Sequence, residues 1–154
     1  MTQFLGTHQN RLDAKGRVSI PASFRAALRN GTEANEAKLI LRSSHKYPCI
    51  EGWPPALFAQ LETPMQDLDL FSEEQDDLAM ALYPDACEIE FDKEGRILLP
   101  ADLVAHANLT DSVAFMGLGR TFQIWEPAAA ARRRTEARER ARARNMTLRA
   151  PGGS

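Results

Sequence analysis

Two arginines stand at matching points of a ten-residue segment that occurs twice in the chain. Arg17 and Arg96 each follow a glycine, and each lies four residues after an aspartate, Asp13 or Asp92. A guanidinium group at a turn can bind phosphate or a guanine edge through two parallel hydrogen bonds. The same spacing also allows an Asp–Arg ion pair that only braces the turn. The residues alone leave both interpretations open.

The repeated segment indicates internal duplication. Residues 13–22 read DAKGRVSIPA and residues 92–101 read DKEGRILLPA, so Asp, Gly, Arg, Pro and Ala recur in register. Asp-x-x-Gly between short apolar runs predicts a tight turn, because Asp can bond the backbone ahead of it and Gly adopts positive φ without strain. The proline that follows favours the first position of a helix. Each copy therefore predicts a strand, a turn, a strand and a helix.

Apolar periodicity and breaker residues predict the same order of elements in both halves. Strands are predicted at 4–12, 17–20, 38–42, 49–53, 87–91, 96–99, 112–116 and 121–125. Helices are predicted at 21–28, 56–62, 73–83, 100–107 and 128–145, with a loop at 31–37 and with Pro64 ending the second helix region. Trp53 and Trp125 each close a strand before a proline, and such residues are usually part of the core. The fold class is α+β, mainly β.

Charge is distributed unevenly along the chain. The net charge is −2, but residues 128–154 hold eight Arg and two Glu, whereas residues 62–94 hold twelve acids and one Lys. Residues 8–29 carry five basic side chains against one acid. This pattern predicts a basic first repeat, an acidic middle and a basic C-terminal helix. That helix could touch DNA phosphate or an acidic neighbour, or it could simply be solvated; we favour the last two.

The sequence argues against a membrane protein, a metalloprotein and an enzyme. No apolar run approaches the roughly 20 residues that span a bilayer, and the first residues lack the pattern of a signal peptide, so no membrane partner is expected. Cys49 and Cys87 are expected to be free thiols in a reducing cytoplasm. The three histidines lack metal-ligand spacing, and no catalytic motif is found. We therefore expect no metal, no cofactor and no enzymatic activity.

The two D-x-x-G-R-[VI]-x-[IL]-P-A segments, with Phe4-Leu5-Gly6-Thr7-His8 before the first, resemble the MraZ family. The resemblance covers about residues 4–145. It implies two tandem swapped-hairpin repeats of the AbrB/SpoVT type, packed as a β-barrel in an intramolecular pseudo-dimer. It also implies a ring-shaped homo-oligomer, an octamer, that is cytoplasmic and associated with the nucleoid. The expected function is repression, through repeated G-rich boxes in double-stranded DNA upstream of its own gene, of the operon for cell division and cell-wall synthesis.

The resemblance divides the chain into segments with expected roles. We expect a first repeat at 4–54, a helical connector at 55–84, a second repeat at 86–127, a basic helix at 128–146 and a disordered tail at 147–154. In the first repeat, Lys15 and Arg17 are expected to read the major groove. Phosphate contacts are expected from Arg11, Arg25 and Arg29, a second DNA surface from Lys93 and Arg96, and bracing of the turns from Asp13, Gly16, Asp92 and Gly95. The first repeat should dominate, because the second surface is surrounded by acids that weaken its potential: Glu88, Glu90, Asp92 and Glu94.

Two other functions fit the same residues. The chain could be an oligomeric structural or protein-interaction module, in which the arginines only brace turns and DNA is not bound specifically. It could also be an AbrB-like antitoxin, although such proteins usually have one domain and a toxin-binding tail. DNA binding predicts an affinity that falls with salt and depends on Arg17.

Overall fold

The computed structural model describes residues 3–29, 38–146 and 148. The predicted loop at 31–37 and most of the predicted disordered tail lie outside the described residues. The strands are β1 (Thr7–Arg11), β2 (Arg17–Ser19), β3 (Lys38–Ser43), β4 (Ile50–Trp53), β5 (Cys87–Glu90), β6 (Arg96–Leu98), β7 (Ser112–Gly117) and β8 (Phe122–Trp125). The helices are α1 (Ala22–Arg29), α2 (Pro55–Ala59), α3 (Glu62–Gln66), α4 (Glu73–Leu82), α5 (Ala101–His106) and α6 (Pro127–Ala143).

Strands from the two halves of the chain are interleaved. Six strands form one sheet in the order β1-β7-β8-β4-β3-β5, and β2 pairs with β6 in a second, two-stranded sheet. All the pairings are antiparallel. When each strand is exchanged for its equivalent in the other half, the order of the large sheet reads the same from the opposite end. Strands of each repeat thus pair with strands of the other repeat.

The large sheet is open. Within the described residues β1 and β5 each have one neighbour in it, so the sheet does not close into the β-barrel that the family resemblance implied. The structure is mixed α and β, with most of its strands in one large antiparallel sheet accompanied by short helices, as predicted. β1 and β5 form the two edges of the sheet, and each pairs with a six-residue strand of the other repeat, β7 or β3.

Aromatic rings fill the core between the two repeats. Phe24 of α1 meets Phe4 and Phe122 at ring-centroid distances of 5.2 and 5.1 Å, and Phe115 lies 6.3 Å from it. All four rings are buried. Gly52 faces Phe122 across the β4–β8 pair, where a Cβ atom would come within 2.3 Å of the ring. The core is therefore a product of both halves rather than two separate cores.

The connector differs from its prediction at Pro64. The expected single helix at 56–62 is divided into α2 and α3, and Pro64 lies inside α3 instead of ending the region. Pro64 occupies the first turn of α3, where its missing N–H has no intrahelical partner in any case, so the helix tolerates it. Ser72 caps α4 as expected, because its side chain accepts a hydrogen bond from the backbone N–H of Gln75.

A buried arginine joins the β3–β4 hairpin to α4. Arg42 of β3 is 2% exposed, and its Nη2 lies 2.9 Å from Oε1 of Glu51 in β4. Its Nη1 donates to the carbonyl oxygen of Ala81 near the end of α4, at 3.3 Å. Nη2 also lies 3.2 Å from Nδ1 of His45, which must be the acceptor because arginine only donates. Arg42 therefore ties β3 to β4 through its ion pair with Glu51, and ties β3 to α4 through its hydrogen bond to Ala81.

In the part of the chain that the structure describes, the C-terminal helix is attached through its first turns. Glu126 caps it by accepting hydrogen bonds from Ala128 and Ala129, and Ala130 is buried. The Arg133 guanidinium lies 4.3 Å from the centre of the Tyr47 ring. Almost all residues after Arg133 are exposed, as expected of a helix with few large apolar side chains. None of the helices among the described residues is long and apolar enough to cross a membrane.

Candidate nucleic-acid interface

The first turn is held by the aspartate that begins it. Oδ1 of Asp13 accepts hydrogen bonds from the backbone N–H groups of Lys15 and Arg17, at 2.9 and 2.8 Å. Oδ2 accepts a third from Nε of Arg17, at 2.8 Å. The backbone closes the turn with a bond from Gly16 N to Asp13 O, and Gly16 has φ of +86°. The Asp–Arg ion pair considered from the spacing is therefore present.

The second turn repeats this arrangement. Asp92 accepts bonds from the N–H groups of Glu94 and Arg96, at 2.8 and 2.9 Å, and from Nε of Arg96, at 2.9 Å. Gly95 has φ of +77°. Glycine suits both turns because residues with a Cβ rarely adopt this left-handed region.

These bonds change the acidity of both carboxylates in the same direction. The pKa of Asp13 is lowered, first by the backbone N–H of Arg17 and then by the Arg17 side chain. The pKa of Asp92 is lowered in the same way, first by the backbone N–H of Arg96. The pKa of Arg96 is raised, chiefly by its side-chain hydrogen bond to Asp92. Both carboxylates are thus ionised at neutral pH.

The two turns differ in the partners of their arginines. Nη2 of Arg96 forms a second ion pair, with Oε2 of Glu94 at 2.7 Å. Lys15 occupies the corresponding position of the first turn. Within the described residues, Arg17 uses only Nε in side-chain bonding, so both of its terminal nitrogens are available. Arg17 is accordingly better prepared than Arg96 to bind an external acceptor.

The β2–β6 pair brings the two arginines onto one face. Arg17 pairs with Leu98, and Ser19 pairs with Arg96, so these four side chains share a face of the small sheet. Val18 and Ile97 point to the opposite face and are buried. Arg17 and Arg96 are diagonal neighbours in the ladder, a relation in which Cα atoms are typically about 7–8 Å apart. We name Arg17, Ser19, Arg96 and Leu98 the paired-turn face.

The residues predicted to contact phosphate differ in their settings. Arg11 is exposed at the end of β1, and Arg29 is exposed in the last turn of α1. Arg25 is half-buried: its Nη1 donates to the carbonyl oxygen of Ile20 at 2.6 Å. The Arg25 side chain also covers Gly95, where a Cβ would come within 2.8 Å of Nη1. Arg25 therefore links the first repeat to the second turn. Lys15 and Lys93 are both exposed in their turns.

Three further residues of this region were missed from the sequence. Ser19 and Leu98 belong to the paired-turn face, and the alternation of Arg17-Val18-Ser19 could have identified the first of them. Asn10 of β1 donates from Nδ2 to the carbonyl oxygen of Ser19, at 2.6 Å, and so ties the large sheet to β2. No local signal in the sequence indicates that contact.

Other chemically capable groups are used structurally. The described residues contain no cluster of three or more His, Cys, Asp or Glu side chains suited to a metal ion. Nε2 of His106 lies 3.1 Å from the carbonyl oxygen of Tyr47. Burial raises the pKa of the Cys49 thiol to about 12, so it stays protonated and unreactive at neutral pH.

The fold and these turns together define a duplicated α+β protein with paired cationic turns on one surface. A family described as "MraZ protein, putative antitoxin-like" matches residues 3–80 and 82–149. A protein of Gluconacetobacter diazotrophicus is 69% identical over 92% of this chain and 90% of its own length. Relatives from Gluconobacter oxydans and Parvibaculum lavamentivorans are 63% and 41% identical, over 92% and 91% of this chain and 87% and 86% of their own lengths.

All three relatives bear the name "Transcriptional regulator MraZ", and none is named as an enzyme. The chain belongs to the MraZ family. The resemblance inferred from the two repeated segments is confirmed.

Proposed function

We propose that this chain is a sequence-specific DNA-binding transcriptional regulator. It represses the operon for cell division and cell-wall synthesis by binding repeated G-rich boxes upstream of its own gene. It acts in the cytoplasm, in association with the nucleoid, as a ring-shaped homo-oligomer of eight copies. The names of its relatives support a role in transcription, and the family resemblance is the basis for the target and the assembly.

One observation carries the proposed DNA contact. The paired-turn face presents Arg17 with both terminal nitrogens unbonded within the described residues, while Nε is fixed by Asp13. A guanidinium held in this way has lost part of its freedom before it binds, which lowers the entropic cost of a directional contact. Its terminal nitrogens can donate to O6 and N7 of one guanine. Bracing by Asp13 and recognition by Arg17 are therefore compatible.

The surrounding cations have a different role in the proposal. Lys15 reads the groove with Arg17, while Arg11, Arg25 and Arg29 contact phosphates and set register and salt dependence. Lys93 and Arg96 form a weaker second contact, since Glu94 competes for Arg96. The symmetric strand order supports an intramolecular pseudo-dimer of the two repeats. Several subunits in one ring would bind several boxes, and such avidity can raise affinity by roughly a hundredfold.

The test is fluorescence anisotropy with duplex DNA from upstream of the gene and a scrambled duplex, over a salt series. Arg17→Ala should abolish the preference for the upstream duplex, and Arg96→Ala should reduce it less. Lys46→Ala is the matched control, because it removes one exposed positive charge outside both turns. If wild type binds both duplexes alike, or if Arg17→Ala retains the preference, the arginines are structural and the interaction-module function is favoured.

A further inference from the structure

The connector exposes an aromatic side chain in an unusual backbone conformation. Phe71 is 83% exposed and its neighbour Leu70 is 72% exposed. Phe71 has φ of +64°, a region that bulky residues seldom occupy. Acidic residues flank the pair, with Asp69 before it and Glu73 after Ser72. Leu70 and Phe71 thus present adjacent apolar side chains to solvent beside carboxylates.

The Phe71 backbone is fixed by the start of α4. Its N–H donates to Oε1 of Gln75 at 3.0 Å, and the Gln75 N–H donates to Oγ of Ser72 at 3.1 Å. This reciprocal pattern resembles a capping box. The aromatic ring is therefore presented from a capped helix end, and its backbone needs no further ordering when it binds.

An apolar groove of about 320 Å³ lies on another part of the same chain. Trp53, Leu57 and Leu61 line it, and Arg120 and Thr121 come from the connection between β7 and β8. The Trp53 indole N–H already donates to Glu51, so its ring contributes apolar surface to the groove. Within the described residues, the Arg120 side chain has no hydrogen bond or ion pair. The groove is apolar with one available cation.

We infer that Leu70 and Phe71 of one copy of this chain occupy the Trp53–Leu57–Leu61 groove of a second copy, with Asp69 paired to Arg120. The two surfaces are complementary in apolar character and in charge. An apolar pair beside an acid meets an apolar groove beside a base. Every copy carries both surfaces, and neither is covered by the other within the described part of one chain. A second copy is therefore always available as the partner.

This contact is heterologous, because different surfaces of the two copies meet. Such a contact continues from copy to copy and closes into a ring when the rotation between subunits allows it. The inference rests on the self-assembly put forward under Proposed function, and it names the surfaces that would produce it. It is independent of which residues contact DNA.

The experiment measures the mass of the full chain by sedimentation, across a range of protein concentrations. Phe71→Glu and Leu57→Glu should each weaken assembly by at least about tenfold, as for the loss of a central apolar anchor. Met146→Glu is the matched control, since it places the same charge at an exposed apolar residue elsewhere. A mixture of the Phe71→Glu and Leu57→Glu chains retains one intact pair of surfaces, so it should form a 1:1 dimer.

Charge reversal provides variants whose fold is not at risk, because Asp69 and Arg120 are both exposed. Asp69→Arg and Arg120→Glu should each weaken assembly, and the double variant should restore it. If wild type stays monomeric at every concentration, the proposed assembly itself is wrong. If wild type assembles but these variants behave like Met146→Glu, the assembly stands and the assigned surfaces are wrong.

Discussion

The first and second repeats have the same turn but different residues at its tip. In the first, Lys15 adds a positive charge and Arg17 keeps two unbonded nitrogens within the described residues. In the second, Glu94 occupies the position of Lys15 and binds Arg96. The Asp–Arg bonds that shape the turn are otherwise matched to within 0.1 Å, from 2.8 to 2.9 Å. Shape is thus shared, whereas the capacity to bind an anion differs.

A second difference between the repeats lies in the β3–β4 and β7–β8 hairpins. Arg42 and Glu51 form a buried ion pair across β3 and β4, while Met116 and Gln123 face each other at the equivalent positions of β7 and β8. Glu51 and Gln123 both accept a hydrogen bond from the following tryptophan, Trp53 or Trp125. The tryptophan contact is therefore common to both repeats, and the ion pair is specific to the first, where α4 packs.

The largest effect on stability is expected when one member of the Arg42–Glu51 pair is replaced by the residue at the equivalent position of the second hairpin. Arg42→Met leaves the largely buried Glu51 without its cation and should lower the free energy of unfolding by about 3–5 kcal/mol. The double variant Arg42→Met with Glu51→Gln copies the second repeat and should regain most of that loss. Urea unfolding at one fixed protein concentration measures both. A double variant as unstable as the single one would show that the bond from Arg42 to Ala81 is what matters.

Substituting the turn glycines should have a smaller effect. Gly16→Ala and Gly95→Ala both place a Cβ at positive φ, which should destabilise the chain by about 1–3 kcal/mol. At Gly16 the nearest atom is the backbone oxygen of Leu99, 3.2 Å from the added carbon, whereas at Gly95 it is the Arg25 side chain. Thermal unfolding of Gly95→Ala with and without Arg25→Ala tests this difference. Arg25→Ala should relieve part of the cost only at Gly95.

Exchanging the tip residues should shift DNA affinity by about 1 kcal/mol, or roughly fivefold. Lys15→Glu gives Arg17 a competing carboxylate and should weaken binding to the upstream duplex. Glu94→Lys releases Arg96 and should strengthen it. Both are measured by anisotropy at one salt concentration. If each exchange changes binding to a scrambled duplex as much as binding to the upstream duplex, only the net charge of the protein matters.

The smallest effect concerns acid stability. The folded-state pKa of Asp13 is below its usual 3.8, so the ionised carboxylate stabilises the fold at pH above that value. This contribution is lost as the pH falls through the lowered pKa. Asp13→Asn should therefore be less stable than wild type near neutral pH, and the difference should disappear in acid below the lowered pKa. Melting curves across that range test it, and Asp92→Asn should behave alike.

The sequence predicted local structure well because its signals are local. Each turn is defined within five residues by Asp, Gly and Arg, so both turns and the strands beside them could be placed. Ser72 and Pro127 likewise marked helix starts that the structure has. The prediction that Pro64 ends the helical region was wrong, because a proline in the first turn of a helix and one just after a helix end cannot be told apart without a clear flanking pattern. Trp125 is in the core as expected, while Trp53 is only half-buried and borders the groove.

Features that depend on distant residues were not predictable. Nothing near Arg42 indicated that a charged residue in a strand would be buried, because its partner carboxylate and the Ala81 carbonyl come from other elements. The sharing of one face by Arg17 and Arg96 depends on the register of β2 against β6. That register joins residues about eighty positions apart, which no periodicity within a single strand encodes.

The pairing of β1 with β7 has a consequence for synthesis of the chain. Thr7 pairs with Met116, so within the described residues the first strand has no partner in the large sheet until the last third of the chain has been made. At the usual rates of translation, that interval is roughly 5–20 s. During it, Phe4 and Phe24 lack the rings of Phe115 and Phe122 that cover them in the finished core. The newly made first half therefore leaves these two rings incompletely covered until the second half has been made.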